Sequence, residues 1–535
     1  MSVKILDCTL RDGGYVNDWN FGKTNIKTII SKLSDSNIEI VECGFLSNNN
    51  IWTKDQSKYN SLHEMEKYIL HPNKNTMYVC MINIGEFDIK DIPEYTDGLI
   101  SGIRLAFHKH QIQDAIEYAS KLIEKGYKVF IQPMVTINYS DKELLDLVEK
   151  VNIIKAYAFY IVDSFGVMKQ NDLKRLFYLI DNNLKKDICI GYHPHNNLQL
   201  AYSNAQSLIN IQPSRTIIID SSIFGMGRGA GNLNTELFTT YLNGAIEKKY
   251  ITQLFLEIID DILNPIYTEN YWGYSLAHYL SAKFNCHPNY ASYLSDKNVL
   301  NINGMNDILR MIDIDKKSNF DKQYIENLYL KYQENDIDDK NDINSLTKEF
   351  EKKQILVLAP GKSINEYSNN IKEYIKNGNI VTIAVNFISE DIKTDYIFIS
   401  NSKRYNSINE KYDLKKVENK LILTSNIKNI ENSRFVINYN SLLNKFDDVE
   451  DNSGLLLIKL LSKCNVKEII FGGFDGYHYD YELNYARNDL KLPMNKKSIR
   501  DLNNNIKLAI KHFSKDVNIK FITPSKYDLK NTLNN

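Results

Sequence analysis

The chain has 535 residues, 43% of them hydrophobic and 24% charged, with 65 Lys and Arg against 66 Asp and Glu. That length exceeds what one hydrophobic core can organise and predicts two or three domains. The near-zero net charge excludes a bulk electrostatic pull toward nucleic acid or membrane, and no apolar run reaches membrane-spanning length.

The first residues, Ser2-Val3-Lys4-Ile5-Leu6, enter a strand without a signal-peptide pattern, so a cytoplasmic protein is expected. The six cysteines (Cys8, Cys43, Cys80, Cys189, Cys286 and Cys464) are scattered through apolar stretches. Reduced core residues have that distribution; a disulfide frame or a zinc site does not. Short apolar runs then alternate with amphipathic segments. The runs are Val3–Cys8, Ile38–Cys43, Met77–Ile82, Gly102–Ala106, Lys128–Val135, Ala156–Val162, Ile188–Tyr192 and Thr216–Ile219. Eight strands, each followed by a helix or an excursion, predict a (β/α)8 TIM barrel over residues 1–240, with a doubly wound open sheet as the competing reading.

Polar groups favour the barrel, because they gather at the C-terminal end of the runs. They are Arg11 and Asp12, Glu42, Asn83, Arg104 with His108, Gln132, Asp163 and Ser164, His193 and His195, and Asp220 with Ser221. Barrel active sites are built on that face. His193 and His195, spaced i, i+2 at a strand end, point to the same side and can share a divalent cation. Asp12 offers a third, oxygen ligand. Asn83, Arg104 and Ser164 are candidate substrate contacts. The turn Gly225-Met226-Gly227-Arg228-Gly229-Ala230-Gly231-Asn232 lets backbone approach an anionic group closely or simply closes the barrel, and the glycines alone support both readings equally.

Residues 241–345 read as a helical extension containing Cys286-His287-Pro288-Asn289-Tyr290. Its end, the polar tract Gln333–Asp342, reads as an interdomain linker or solvated turn. A second alternating unit occupies 350–535, a Rossmann-like α/β domain. Its first strand, Ile355-Leu356-Val357-Leu358, runs into Ala359-Pro360-Gly361-Lys362-Ser363, which lacks the first glycine of a P-loop. Pro360, Gly361, Lys362, Ser363 and the strand-end Asn386 are its candidate ligand contacts.

Over roughly residues 1–295 the chain resembles the DRE-TIM metallolyases, nearest the 4-hydroxy-2-oxovalerate aldolase branch. The matching motifs are Asp7-Cys8-Thr9-Leu10-Arg11-Asp12-Gly13, Val162-Asp163-Ser164, Gly191-Tyr192-His193-Pro194-His195-Asn196-Asn197-Leu198 and the glycine-rich turn. The resemblance implies Asp12, His193 and His195 as ligands of Mn²⁺ or Mg²⁺, Arg11 as the group steadying an enolate, and Tyr290 as the group protonating it. It implies an aldolase acting on a 2-oxo acid and an aldehyde. Tyr15 stands where these aldolases carry a histidine base. Either the metal and Arg11 activate Tyr15, or His108 or His110 substitutes. A Claisen-type acyl-CoA condensation is the alternative at the barrel. The C-terminal unit resembles sialyltransferase-like, Rossmann-type domains found with bacterial surface-polysaccharide enzymes, through Leu358–Ser363, Asn386, Asn452-Ser453-Gly454 and Gly472-Gly473-Phe474-Asp475. No residue matches their catalytic histidine, so nucleotide or nucleotide-sugar binding is expected there, with glycosyl transfer as an alternative. The resulting expectation is a homo-oligomeric enzyme of sugar or surface-glycan metabolism.

Overall fold

The structure, a computed structural model, describes residues 2–49, 51–246, 248–428, 430, 433–444, 446, 449, 451–492 and 499–529. It divides into two compact units. One holds the chain up to Ala291 together with Lys317–Phe320; the other holds Ser292–Lys316 and the chain from Asp321 onward.

The first unit is built on eight parallel strands: β1 (Ser2–Asp7), β2 (Ile40–Leu46), β3 (Met77–Asn83), β4 (Ile100–Phe107), β5 (Lys128–Pro133), β6 (Ala158–Asp163), β7 (Cys189–Pro194) and β8 (Thr216–Ser221). Each lies within three residues of a run read from the sequence. Spatial order follows chain order, and β1 pairs with both neighbours, Leu6 standing opposite Ile40 on β2 and Asp220 on β8. The sheet is therefore a closed barrel, and the open-sheet alternative is excluded. Strands such as β2, β6 and β7 are buried along their whole length, because a parallel barrel strand faces side chains inside and helices outside. Leu6, Ile40, Val79, Phe130, Ala158, Tyr160 and Ile218 belong to a cluster distinct from the larger one outside it.

The covering helices follow their sequence cues. Helix Asp141–Ile154 starts at a capping box, Ser140 Oγ accepting from the Glu143 amide and Glu143 Oε2 accepting from the Ser140 amide at 2.8 Å. It buries Leu144, Leu147, Val148 and Val151, one stripe at helical spacing. Among the described residues, no helix is long and apolar enough to cross a membrane.

The second unit carries seven parallel strands, β9 (Gln354–Leu358), β10 (Ile380–Val385), β11 (Tyr396–Ile399), β12 (Leu421–Thr424), β13 (Phe435–Ile437), β14 (Glu468–Gly472) and β15 (Asn518–Phe521). Their order is β13-β12-β11-β10-β9-β14-β15. Helix Ser453–Lys463 is buried almost all round. The polar tract Gln333–Asp342 is anchored within this unit and does not run free: Asp339 and Asp342 accept from the Asn438 and Val436 amides, and Asn335 donates to the Ser425 carbonyl, all at 2.8 Å. Its charged residues cap exposed backbone of the sheet, which is why it lacks an apolar face.

Candidate metal centre and active site

At the end of β1 the chain turns at once. Asp7 accepts from the Thr9 amide at 3.0 Å, and a single buried helical turn, Thr9–Asp12, carries Arg11 and Asp12 over the barrel mouth. At the end of β7, His193 and His195 stand with ring centroids 5.1 Å apart. One ligand atom from each of Asp12, His193 and His195 lies within 4.8 Å of the others. All three residues are buried.

The imidazoles are oriented from behind. His193 Nδ1 is 2.8 Å from Asp220 Oδ2, so it donates there and leaves the Nε2 lone pair free. His195 Nδ1 faces the Arg228 carbonyl at 3.3 Å, and its Nε2 is 3.8 Å from Asp12 Oδ2. Burial pulls His195 down to about 3, so it is a neutral donor. Burial would raise the Asp12 carboxyl, but the Arg11 guanidinium beside it holds it well below the usual carboxylate range. Three carboxylates (Asp12, Glu42 and Asp220) are joined to two guanidinium groups: Arg11 to Asp12 and Glu42, Arg104 to Glu42 and Asp220. The cluster offers a carboxylate and two imidazoles as donors, and that donor set fits a divalent cation.

A cavity of about 50 Å³ opens beside these groups, lined by Arg11, Asp12, Tyr15, Asn83, Gln132, Ser164, His193, His195, Arg228 and five apolar residues: Phe45, Met81, Ala106, Met134 and Val162. The buried Gln132 Nε2 finds no acceptor among the described residues, so one aligned donor remains for a ligand. The glycine-rich turn serves the same pocket. A Cβ at Gly227 would stand 2.7 Å from Asp12 Oδ2, and Asn232 Nδ2 donates to that oxygen at 2.5 Å. The anionic group the turn approaches is the chain's own aspartate.

Several expected residues stand elsewhere. Arg104 is fully buried, its Nη1 bonded to Glu42 at 2.8 Å, its Nη2 to Asp220, and its Cζ 5.0 Å from the Tyr160 ring centroid. It supports the carboxylates from beneath and does not line the cavity. A Cβ at Gly191 would meet that same Tyr160 ring at 2.2 Å, so the glycine makes room for it. Tyr290 is also fully buried, its hydroxyl donating to the Asn319 carbonyl at 2.7 Å and its ring edge-on to Phe320. His108 stacks on His110 with centroids 5.8 Å apart, outside the lining. Tyr15 does line the cavity, with 41% of the residue exposed; its hydroxyl stands above the ordinary value through desolvation of its cavity side, which Arg228 and Arg11 only partly offset. Arg228, whose Cζ lies 5.5 Å from the Tyr15 ring centroid, was missed as a site residue, as was His287, whose Nε2 is 3.5 Å from Arg228 Nη1. The signals were in the sequence: an arginine between glycines and a histidine in Cys286-His287-Pro288.

In the second unit, Pro360, Gly361 and Asn386 line one cavity, whereas Lys362 and Ser363 line another. The Ser363 amide and hydroxyl both donate to the Asp475 carboxylate, the former at 2.8 Å. An internal carboxylate thus holds the donors that the sequence suggested for a phosphate.

Residues 102–262 match the model of the HMGL-like family. The 4-hydroxy-2-oxovalerate aldolase of Geobacillus genomosp. 3 is 27% identical over 247 residues, 45% of this chain and 71% of that protein. That of Pseudoalteromonas translucida is 24% identical over 268 residues, 49% of this chain and 76% of that protein. Among solved structures, the N-terminal domain of a proposed aldolase from Bacteroides vulgatus is 28% identical and covers 54% of this chain and 96% of its own, with a TM-score of 0.45.

Proposed function

We propose that this chain, whose barrel belongs to the DRE-TIM metallolyases, is a divalent-metal-dependent aldolase that makes or breaks a carbon–carbon bond beside a 2-oxo acid. The observation that carries this reading is the convergence of Asp12, His193 and His195 with Arg11 at one pocket. The relatives named 4-hydroxy-2-oxovalerate aldolase support a 4-hydroxy-2-oxo acid as the substrate class.

In the cleavage direction the bond between carbons 3 and 4 breaks. Its electron pair passes into an enolate at the 2-oxo group, the 4-hydroxyl loses its proton, and an aldehyde departs. A divalent cation held by Asp12, His193 and His195 would supply Lewis-acid polarisation of the 2-oxo group, and this mixed nitrogen–oxygen donor set suits Mn²⁺ better than Mg²⁺. Arg11 is fixed before substrate arrives, Nη1 on Asp12 at 2.6 Å and Nε on Glu42 at 2.9 Å, so its positive charge stands ready for the developing enolate oxygen. Gln132, Asn83 and Ser164 line the same cavity and are assigned to orienting the acid. Tyr15 lines the cavity and His108 does not, so Tyr15 is assigned to take the hydroxyl proton, a role it can fill only as the phenolate, the form that Arg228 and Arg11 favour. Incubating the protein with Mn²⁺ and a panel of 4-hydroxy-2-oxo acids, with coupled detection of pyruvate, tests the assignment. Absence of metal-dependent pyruvate release across the panel would refute it. The wider assignment to sugar or surface-glycan metabolism rests on the likeness of the C-terminal unit.

A further inference from the structure

The glycine-rich turn after β8 does more than pack on Asp12. Gly227 and Gly229 flank Arg228. A Cβ on Gly227 would meet Asn232 Nδ2 at 2.3 Å, and one on Gly229, where φ is +71°, would meet Asn197 Oδ1 at 2.7 Å. Asn197 Oδ1 also accepts from the Ala230 amide at 2.8 Å. The backbone on both sides of Arg228 is thus fixed at the barrel mouth. From there the half-buried arginine lines the cavity that holds the candidate metal ligands.

Its guanidinium is poorly partnered. Nε is buried and finds no acceptor among the described residues, Nη2 has a long bond of 3.4 Å to the Ser164 carbonyl, and Nη1 faces His287 Nε2 at 3.5 Å. That last contact joins two donors. His287 Nδ1 accepts from the Asn289 amide at 3.2 Å, in the first turn of helix Pro288–Asp296, so in the neutral ring the hydrogen sits on Nε2. Desolvation, and then the Arg228 charge, pull His287 down to about 3, which keeps the ring neutral. Phe320, stacked at 6.0 Å, and Phe165, edge-on at 6.4 Å, hold the plane of that ring. Two N–H donors therefore converge, and neither can satisfy the other.

Asp12 feels the Arg228 charge through space, but it is bonded to Arg11 and Asn232 and belongs to the candidate metal site. Among the described residues no carboxylate makes an ion pair with Arg228. Beyond Asp12 and Tyr15, the groups that sense it are imidazoles: His108 at the end of β4, His195 and His287. This side of the mouth presents positive charge and unanswered donors, which an anion answers.

On the proposed function, the 2-oxo acid end of the substrate lies on Arg11, Asn83, Gln132 and Ser164, so Arg228 and His287 meet its other end. We propose that the aldehyde this enzyme adds or releases carries an anionic group of its own, a carboxylate or a phosphate, held by Arg228 Nη1 and His287 Nε2. This rests on the aldolase reading and names its substrate class. In the condensation direction the pyruvate methyl loses a proton and the enolate carbon bonds the aldehyde carbon. The aldehyde oxygen then takes up a proton to become the 4-hydroxyl, and the anionic group serves recognition only.

Two matched pairs of aldehydes test this with the full chain, Mn²⁺ and pyruvate: 4-oxobutanoate against butanal, and glyceraldehyde 3-phosphate against glyceraldehyde. At least one acidic member should exceed its neutral partner in kcat/KM by on the order of tenfold or more, as a hydrogen bond to a charged group gives. The pair that shows the preference tells carboxylate from phosphate. The readout is the ratio within a pair, in which any effect on Tyr15 or the cation cancels. Arg228→Met should erase the preference and Arg228→Lys should keep part of it. His287→Asn, whose side-chain oxygen can still accept from the Asn289 amide, should reduce it severalfold. Exchange of the pyruvate methyl protons in D₂O needs no aldehyde and checks the underlying reading separately. Neither exchange nor product would end the aldolase assignment itself. Exchange or product without preference for the acidic member of either pair overturns this inference alone. So does a ratio unchanged in Arg228→Met or, should that variant fail to fold, in His287→Asn. A raised KM for pyruvate at an unchanged ratio would place Arg228 on the 2-oxo acid's own carboxylate and overturn it equally.

Discussion

Asp220 touches no cavity surface, yet replacing it with Asn should cripple metal binding. Its carboxylate takes three donors at once: His193 Nδ1 at 2.8 Å, Tyr160 Oη at 3.0 Å and Arg104 Nη2. An asparagine offers one carbonyl oxygen and presents an amide N–H to whichever donor meets its other end. His193 then loses the hydrogen bond that fixes its ring and keeps its Nε2 unprotonated. Loss of such a supporting carboxylate costs about 10- to 100-fold in metal affinity, or about 1.4–2.8 kcal/mol. The same change leaves Arg104 with Glu42 alone, and breaking a buried ion pair costs about 3–5 kcal/mol of stability. The two effects separate experimentally. Urea unfolding in chelator reads the stability loss, and competition of Mn²⁺ with a fluorescent chelator, under conditions where the variant is folded, reads affinity. Tyr160→Phe, which removes only one neutral donor, should leave Mn²⁺ affinity within about twofold. A folded Asp220→Asn protein that binds Mn²⁺ as the wild type does would refute the claim that Asp220 sets the ligand geometry.

Arg11→Ala should lower turnover on the order of a hundredfold while stoichiometric metal remains bound, as elemental analysis can show; full activity would end the enolate assignment. Tyr15→Phe should reduce kcat with little change in KM, and His108→Asn should be mild, so the reverse ranking would transfer the base to His108. Asp163 supplies a pH test. Burial raises its carboxyl to about 7 in the fold, against an ordinary value of 3.8. The native state therefore keeps a proton that the unfolded chain releases, and this contribution, complete below pH 3.8, is lost as pH rises through about 7. Asp163→Asn, which cannot ionise, should gain on the wild type by about 2–3 kcal/mol between pH 5 and 7.5, read by chemical denaturation of the metal-free proteins. A constant difference across that range would show that Asp163 does not titrate as described.

What could be read in the sequence was set by distance along the chain. Parallel barrel strands are buried on both faces, so β2 and β7 appear as apolar runs without any partner being known. His193 and His195 are legible as a pair because strand geometry aims i and i+2 together. Arg104 was misread because a charged residue near a strand end looks like a ligand contact, and the two carboxylates that claim it, Glu42 and Asp220, lie 62 and 116 residues away. The bonds of Ser363 are hidden for the same reason: the carboxylate that accepts from its amide and hydroxyl is 112 residues on. Tyr290 carries its hydroxyl to a backbone carbonyl of a segment, Lys317–Phe320, whose return to the first unit has no local signal. Local pattern reveals elements and pairs within them; it does not reveal which buried charges satisfy one another.

The ladder of Asp12, Arg11, Glu42, Arg104, Asp220 and His193 has a consequence for how the enzyme is assembled in time. Two permanently charged guanidinium groups hold all three carboxylates apart from any ion, so the barrel does not wait for a cation as a zinc finger does. The apoprotein can be made and stored folded. On the proposed function the cation is therefore expected to bind after the barrel has formed, so refolding in chelator should reach the same barrel as refolding with Mn²⁺.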